Sequence, residues 1–89
     1  MEFEWDESKR VSNLRKHGVD FVRVLEFDWE SAVRFEDCRK PNGEQRWLAL
    51  GKIGVRLHAL IYSRRGRRTR IISLRKANNK EARRYEAAT

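Results

Sequence analysis

Residues 54–76 read GVRLHALIYSRRGRRTRIISLRK, and this stretch decides the fold. Val55, Leu57, Ala59 and Ile61 alternate with Arg56 and His58 on the other phase, the period of two that marks a half-buried strand. Arg64-Arg65-Gly66-Arg67-Arg68 turns the chain around a glycine, and Thr69 to Lys76 returns as a second strand through Ile71-Ile72. Strict alternation in the return strand places Arg70 and Leu74 on one face, Ser73 and Arg75 on the other. Upstream, residues 45–53, centred on Trp47-Leu48-Ala49-Leu50, read as a third strand, closed by Gly51 to Gly54. Residues 31–35 read as a fourth, ended by a Pro41-Asn42-Gly43 turn.

The flanks are helical. After a short alternating strand, Glu2-Phe3-Glu4-Trp5, Asp6 offers an N-cap and Glu7 suits the positive end of the helix dipole. Val11 and Leu14 share one face of this helix. Lys16 and His17 occupy its last turn, and Gly18 is placed to take a left-handed cap. Asp20 caps a second helix with Phe21, Val24 and Leu25 at i, i+3 and i+4. Asn78 with Glu81 has the capping-box spacing that opens a last helix. The order β-α-α-β-β-β-β-α predicts an α+β fold in one domain, residues 1–89. Residues 31–76 form an antiparallel sheet, and the helices of residues 7–16 and 20–27 pack against it.

Charge separates the two ends of the chain. Residues 56–89 carry eleven Lys and Arg against Glu81 and Glu86, a balance of +9, whereas residues 1–55 carry ten bases and eleven acids. Folding needs no such field, so a partner rich in negative charge explains it best, and nucleic acid is the commonest such partner. Arg outnumbers Lys fifteen to six, and the guanidinium is the group that clamps phosphate and stacks on bases. Between Tyr62 and Lys76 no acid interrupts the cations, so the basic hairpin has no local means of neutralising itself. Arg64, Arg65, Arg67 and Arg68 at its turn are the candidate RNA-binding residues.

With 39% hydrophobic residues and no apolar run of membrane length, the chain reads as a small soluble domain. Its acidic opening is unlike a signal peptide, so a cytoplasmic location is expected. Cys38 is a lone loop thiol, which makes no internal disulfide and no zinc cluster. The sequence holds no phosphate-cradling glycine loop, no nucleophilic triad and no acid pair for a divalent metal in its basic half. Any hydrolysis would therefore be metal-independent and free of cofactors. RNA allows this, because its own 2′-OH attacks the neighbouring phosphate once a base, a cation and an acid are in place. Lys16 and His17 are either such groups or a complement to the helix dipole. Tyr85 is either a core anchor or a base-stacking ring, and His58 reads as a satisfied core or surface histidine.

Phe3-Glu4-Trp5-Asp6, Asn13-Leu14-Arg15-Lys16-His17-Gly18-Val19 with Phe21, and Gln45-Arg46-Trp47 resemble the BrnT-type toxins. So does Arg70-Ile71-Ile72-Ser73-Leu74-Arg75-Lys76-Ala77 with Glu81, Arg84 and Tyr85. The resemblance implies the toxin of a type II toxin–antitoxin pair, similar in fold to the RelE-like ribonucleases, which cleaves RNA and arrests translation. It also implies a BrnA-like ribbon-helix-helix antitoxin, an oligomeric complex and operator DNA bound through that antitoxin. Lys16, His17, Arg70, Arg75 and Lys76 fall on family motif positions and, with Tyr85, are the candidate catalytic residues. Two positions depart from the family: Cys38-Arg39-Lys40-Pro41 stands where a loop histidine is common, and Arg65 where an acid is common. A non-catalytic basic module that binds nucleic acid accounts for the charge equally well, but not for Lys16-His17 and Tyr85. A structural partner protein leaves the +9 segment without a reason.

Overall fold

The computed structural model describes residues 1–36 and 43–89. Along the chain run β1 (Glu2–Glu4), α1 (Glu7–His17), a 3₁₀ helix (Phe21–Glu26), β2 (Val33–Glu36), β3 (Trp47–Ile53), β4 (Arg56–Arg65), β5 (Arg68–Lys76) and α2 (Asn79–Ala88). The five strands form one sheet in the order β1-β5-β4-β3-β2. Strands β2 to β5 are antiparallel throughout, as expected, and β1 joins the far edge parallel to β5, with Phe3 opposite Thr69. Cys38 and the first two residues of the expected Pro41-Asn42-Gly43 turn lie outside the described residues.

Local chemistry sets the helix ends. Asp6 Oδ1 accepts from the Ser8 and Lys9 amides at 2.9 and 3.2 Å, and Asn78 and Glu81 cap each other reciprocally. Gly18 closes α1 at φ 72°, a conformation that costs glycine nothing. The expected second α-helix is instead 3₁₀, and the difference decides which side chains it buries. Three residues per turn bring Phe21 and Val24 onto one line, and they are 0% and 1% exposed. Leu25, at i+4, is rotated off that line and is 72% exposed.

The sheet is covered on both faces. On one, Val19, Phe21, Val24 and Phe27 pack on Ala49, Leu60, Ile71 and Leu74. Burying a side chain such as Phe21 completely contributes roughly 1.5–3 kcal/mol. Phe27 sits so close above β3 that a Cβ on Gly51 would lie 2.5 Å from its ring, so glycine is required there. On the other face, Leu48, Leu50 and Ala59 meet Phe35, Leu57, Ile61 and Tyr85 of α2. The Arg84 guanidinium lies 3.6 Å over the Phe35 ring and fastens α2 to β2. Val55, expected inside the strand, belongs to the β3–β4 turn and is 98% exposed. His58 is buried, and its Nδ1–H donates to the Arg56 carbonyl at 2.8 Å. Burial first, then the nearby cations Arg23, Arg56 and Lys76, hold it below its ordinary value. This is the satisfied core histidine the alternation allowed for.

Helix α1 is attached by a polar residue. Val11 and Leu14 do share a face, but it points to solvent. The buried position is Asn13, whose Nδ2 donates to the Val19 and Leu74 carbonyls at 2.9 and 2.7 Å. Its Oδ1 accepts from the Leu74 amide at 3.3 Å. Beyond the reach of β1, one side chain thus stands in for a strand along the open edge of β5. Because His17 follows Asn13 by four residues, the same bonds fix where His17 sits. Replacing Asn13 with alanine orphans three buried backbone groups, and the unfolding free energy is expected to fall by about 1–3 kcal/mol in urea titrations. An unchanged midpoint would remove Asn13 from this role.

Candidate active site

One side of α1 and the second half of β5 border an open cavity of about 330 Å³ lined by Lys9, Ser12, Asn13, Lys16, His17, Ile72 and Ser73. His17 is half-buried there. Burial first, then the charges of Lys16 and Arg75, push its imidazole below the ordinary histidine value. That direction favours the uncharged ring, whose lone pair can accept a proton. His17 and Arg75, 58 residues apart in sequence, are brought together here: Arg75 is close enough for its charge to bear on the imidazole.

Arg75 is held from the other side. Its Nη1 and Nη2 donate to the two carboxylate oxygens of Glu81 at 2.7 and 2.8 Å. Glu81 also accepts from the Asn78 amide at 3.0 Å, so the cap of α2 and the clamp on Arg75 are one residue. Arg75 holds the Glu81 carboxyl below the usual carboxylate range. Glu81 occupies one edge of the guanidinium and fixes its plane, and Nη1 also reaches the Lys76 carbonyl at 3.5 Å, which leaves Nε–H and the outer Nη2 proton for a ligand. Lys76 follows at the end of β5, exposed and opposite His58.

A β-bulge changes the face assignment in β5. Ile61 lies opposite Ser73 and Tyr62 opposite Ile71, so Ile72 has no counterpart and the alternation slips by one. Arg70, opposite Ser63, consequently shares a face with Ser73 and Arg75, where unbroken alternation put it on the reverse. The two arginines remain roughly 13–16 Å apart along the strand, too far to clamp one phosphate together. Arg70 Nη1 instead donates to Glu4 at 2.8 Å, bridging β5 to β1.

The hairpin is less bare than its sequence. Glu4 also lies 3.5 Å from Arg68, and Glu44 lies 3.2 Å from Arg65. Together with Glu81 on Arg75, acids distant in sequence neutralise part of a segment that contains none. Arg64 and Arg67 have no carboxylate partner among the described residues, and both are exposed. Tyr85 is placed as an anchor: its ring packs with the Leu48–Leu50–Ala59 cluster and its hydroxyl donates to the Ser31 carbonyl at 3.3 Å. It lies one turn beyond Glu81, and proton donation by it requires breaking that bond.

The structure thus gathers Lys16, His17 and Arg75 at one end of β5, and Arg65, Arg67, Arg68 and Arg70 at the other. Ser12, Ser73 and Glu81 belong to the first group and were not singled out for it by the sequence. Of these, Glu81 carries a sequence signal as the capping-box partner of Asn78, and Ser73 by sharing a strand face with Arg75. A search of curated proteins finds no match. Residues 5–81 match the family model described as ribonuclease toxin, BrnT, of type II toxin–antitoxin system. That match spans both the His17 and the Arg75 motifs and nearly the whole sheet, and the chain belongs to the BrnT family of type II ribonuclease toxins.

Proposed function

We propose that the chain is a metal-independent endoribonuclease whose reaction centre is the cavity at His17. The neutral imidazole takes the proton of a ribose 2′-OH, and that oxygen attacks the adjacent phosphorus. Arg75 offsets the charge gathering on the phosphorane, and the Lys16 ammonium gives a proton to the departing 5′-oxygen. The products carry a 2′,3′-cyclic phosphate and a 5′-OH. Arg70 and the turn arginines hold phosphates further along the strand. The single observation that carries this reading is His17 lining a cavity with Lys16, near enough to Arg75 for that charge to act on the ring. Purified protein incubated with RNA in EDTA is expected to cut it and leave those ends. It is expected to spare an oligonucleotide with 2′-deoxyribose at the cleavage site. Binding without cutting would favour the non-catalytic module, and loss of cutting in EDTA would overturn metal independence.

In the cell this activity arrests translation and is held in check by a BrnA-like ribbon-helix-helix antitoxin, in an oligomeric cytoplasmic complex that reaches operator DNA through the antitoxin. A RelE-like arrangement of helices and sheet belongs to the same reading. Exposed Val11 and Leu14 on α1, with Val22 and Leu25 on the 3₁₀ helix, are apolar surface that such a partner would cover.

Phosphate contacts displace counterions, so RNA affinity is expected to fall by about 0.7 log units per log unit of salt for each contact. Arg67→Ala/Arg68→Ala is expected to reduce that slope by about one to two contacts. A salt-insensitive affinity, or parental binding by the double variant, would exclude the turn from the interface.

A further inference from the structure

The second cavity, about 260 Å³, opens on the opposite face of the sheet near the hairpin turn. Trp29, Trp47 and Tyr62 line it together with Arg34, Arg64 and Thr69. Strand register explains the convergence: Trp47 lies opposite Tyr62, Arg64 opposite Thr69, and Arg34 opposite Ala49 on the same face. The walls are fixed by ring contacts. Trp29 meets Tyr62 edge to face at 5.4 Å and Phe27 at 4.9 Å, and stacks on Phe3 at 6.2 Å. The Arg34 guanidinium sits 5.4 Å from the centre of the Trp29 ring.

Two residues that line this cavity each carry a buried polar atom without a hydrogen-bond partner among the described residues, Trp29 Nε1 and Thr69 Oγ1. Thr69 as a whole is 1% exposed. A buried donor or hydroxyl left unpaired is costly, and few occur in a native protein. Two on residues that line one cavity favour a ligand that supplies an acceptor to the indole N–H and a partner to the hydroxyl once a small shift of the wall uncovers them. That ligand is also flat and apolar on its faces, because the walls are aromatic, and it carries negative charge nearby, because Arg34 and Arg64 are among the lining residues. A cavity of this size takes one small ring system.

We propose that this cavity is a nucleobase subsite of the RNA substrate. One unstacked base enters between the aromatic walls, its edge meets Trp29 Nε1–H and Thr69 Oγ1, and Arg34 and Arg64 hold the phosphate attached to it. The proposal rests on the RNA-cleaving reading and adds to it a site that reads base chemistry away from the reaction centre. Thr69 and Arg75 are six residues apart on β5, roughly 16–20 Å, and face opposite sides of the sheet, so an RNA strand joining the two sites needs at least about five or six nucleotides. Arg64 joins the cavity to the basic turn, which lies at the Thr69 end of β5.

The test uses the full chain and two probes of equal length, a single-stranded RNA and its abasic ribose-phosphate counterpart. Binding is followed by quenching of tryptophan fluorescence and by anisotropy. The wild type is expected to bind the RNA at least tenfold more tightly than the abasic chain, with quenching by the RNA alone. Thr69→Val, which keeps shape and removes the hydroxyl, is expected to weaken RNA binding about tenfold and leave abasic binding unchanged. Its melting temperature should stay level or rise, because the hydroxyl has no internal partner to lose. Trp29→Phe should likewise reduce discrimination between the probes. Equal binding of both probes by the wild type, with Arg67→Ala/Arg68→Ala weakening both, would leave the RNA reading intact and overturn the subsite. Binding of neither probe would overturn both readings. A lowered melting temperature for Thr69→Val, or a loss of antitoxin affinity in place of RNA affinity, would also overturn it.

Discussion

Replacing Arg75 with alanine is expected to lower the rate of RNA cleavage by about 10²–10³-fold while leaving RNA affinity within a few-fold of the parent. A group that meets the phosphate mainly when charge develops there contributes to the barrier more than to binding, and a fixed donor in such a site is worth that factor. Arg75 fits because Glu81 has already set its plane, so no reorganisation is needed as the phosphorane forms. The same clamp complicates the variant. Glu81 loses the partner that holds its carboxyl ionised, and the pair is neither fully exposed nor fully buried, at 28% and 12% side-chain exposure. A stability loss on the order of 1 kcal/mol lies between the values for surface and buried pairs. Arg75→Ala/Glu81→Gln, which strands no buried charge, is expected to recover the stability and none of the rate. In cells the single variant should no longer arrest growth, yet should still co-purify with the antitoxin. Full toxicity in Arg75→Ala would remove the arginine from the mechanism.

What could be read ahead of the structure was mostly local. The Asp6, Asp20 and Asn78 caps and the Gly18 stop were all visible, because capping is settled within four or five residues. The alternation from Leu57 to Ile61 gave β4 its faces, and the glycine among arginines gave its turn. The rest depends on residues far away in sequence. Nothing in Arg70-Ile71-Ile72-Ser73 announces a bulge, because the slip exists only relative to β4. It moves Arg70 to the other face, which is the one feature of the hairpin that matters most for how the arginines are presented. The parallel pairing of β1 is equally non-local. Without it Glu4 is one more acid of an acidic N-terminus, and with it Glu4 neutralises Arg68 and Arg70.

The candidate site was legible as residue types and not as a place. Lys16-His17 and Arg75-Lys76 stood out by motif, but only the attachment of α1 to the edge of β5 through Asn13 makes them neighbours. Amphipathic spacing misdirected there, since Val11 and Leu14 follow the rule for a buried face and are exposed. An asparagine in mid-helix is a poor helix former, and its presence at position 13 is explained only by three backbone groups on other elements. Charge counting likewise measured the hairpin's field without the carboxylates that fold onto it.

The second large effect is expected at His17. Its alanine variant should cut RNA about 10²–10⁴-fold more slowly, the usual worth of a positioned general base. The pH dependence separates this role from a merely structural one. Because burial, Lys16 and Arg75 hold the imidazole below its ordinary value, the base stays competent at pH 6.5, where an unperturbed histidine would be half protonated. The acid limb of kcat/KM in the wild type is therefore expected below pH 6.5, and it should vanish in His17→Ala. Removing the charge of Lys16, as Lys16→Met, takes away one of the cations that oppose protonation and should move that limb upward while lowering the rate through loss of the proposed acid. The folded state has a matching signature. A group that binds its proton less readily when folded contributes stability above its unfolded value, and that contribution is lost as pH falls through the folded one. His58 adds to the same trend, being buried and held low by its surroundings. An acid limb at or above pH 6.5, or one unchanged in His17→Ala, would show that His17 is not the group that takes the proton.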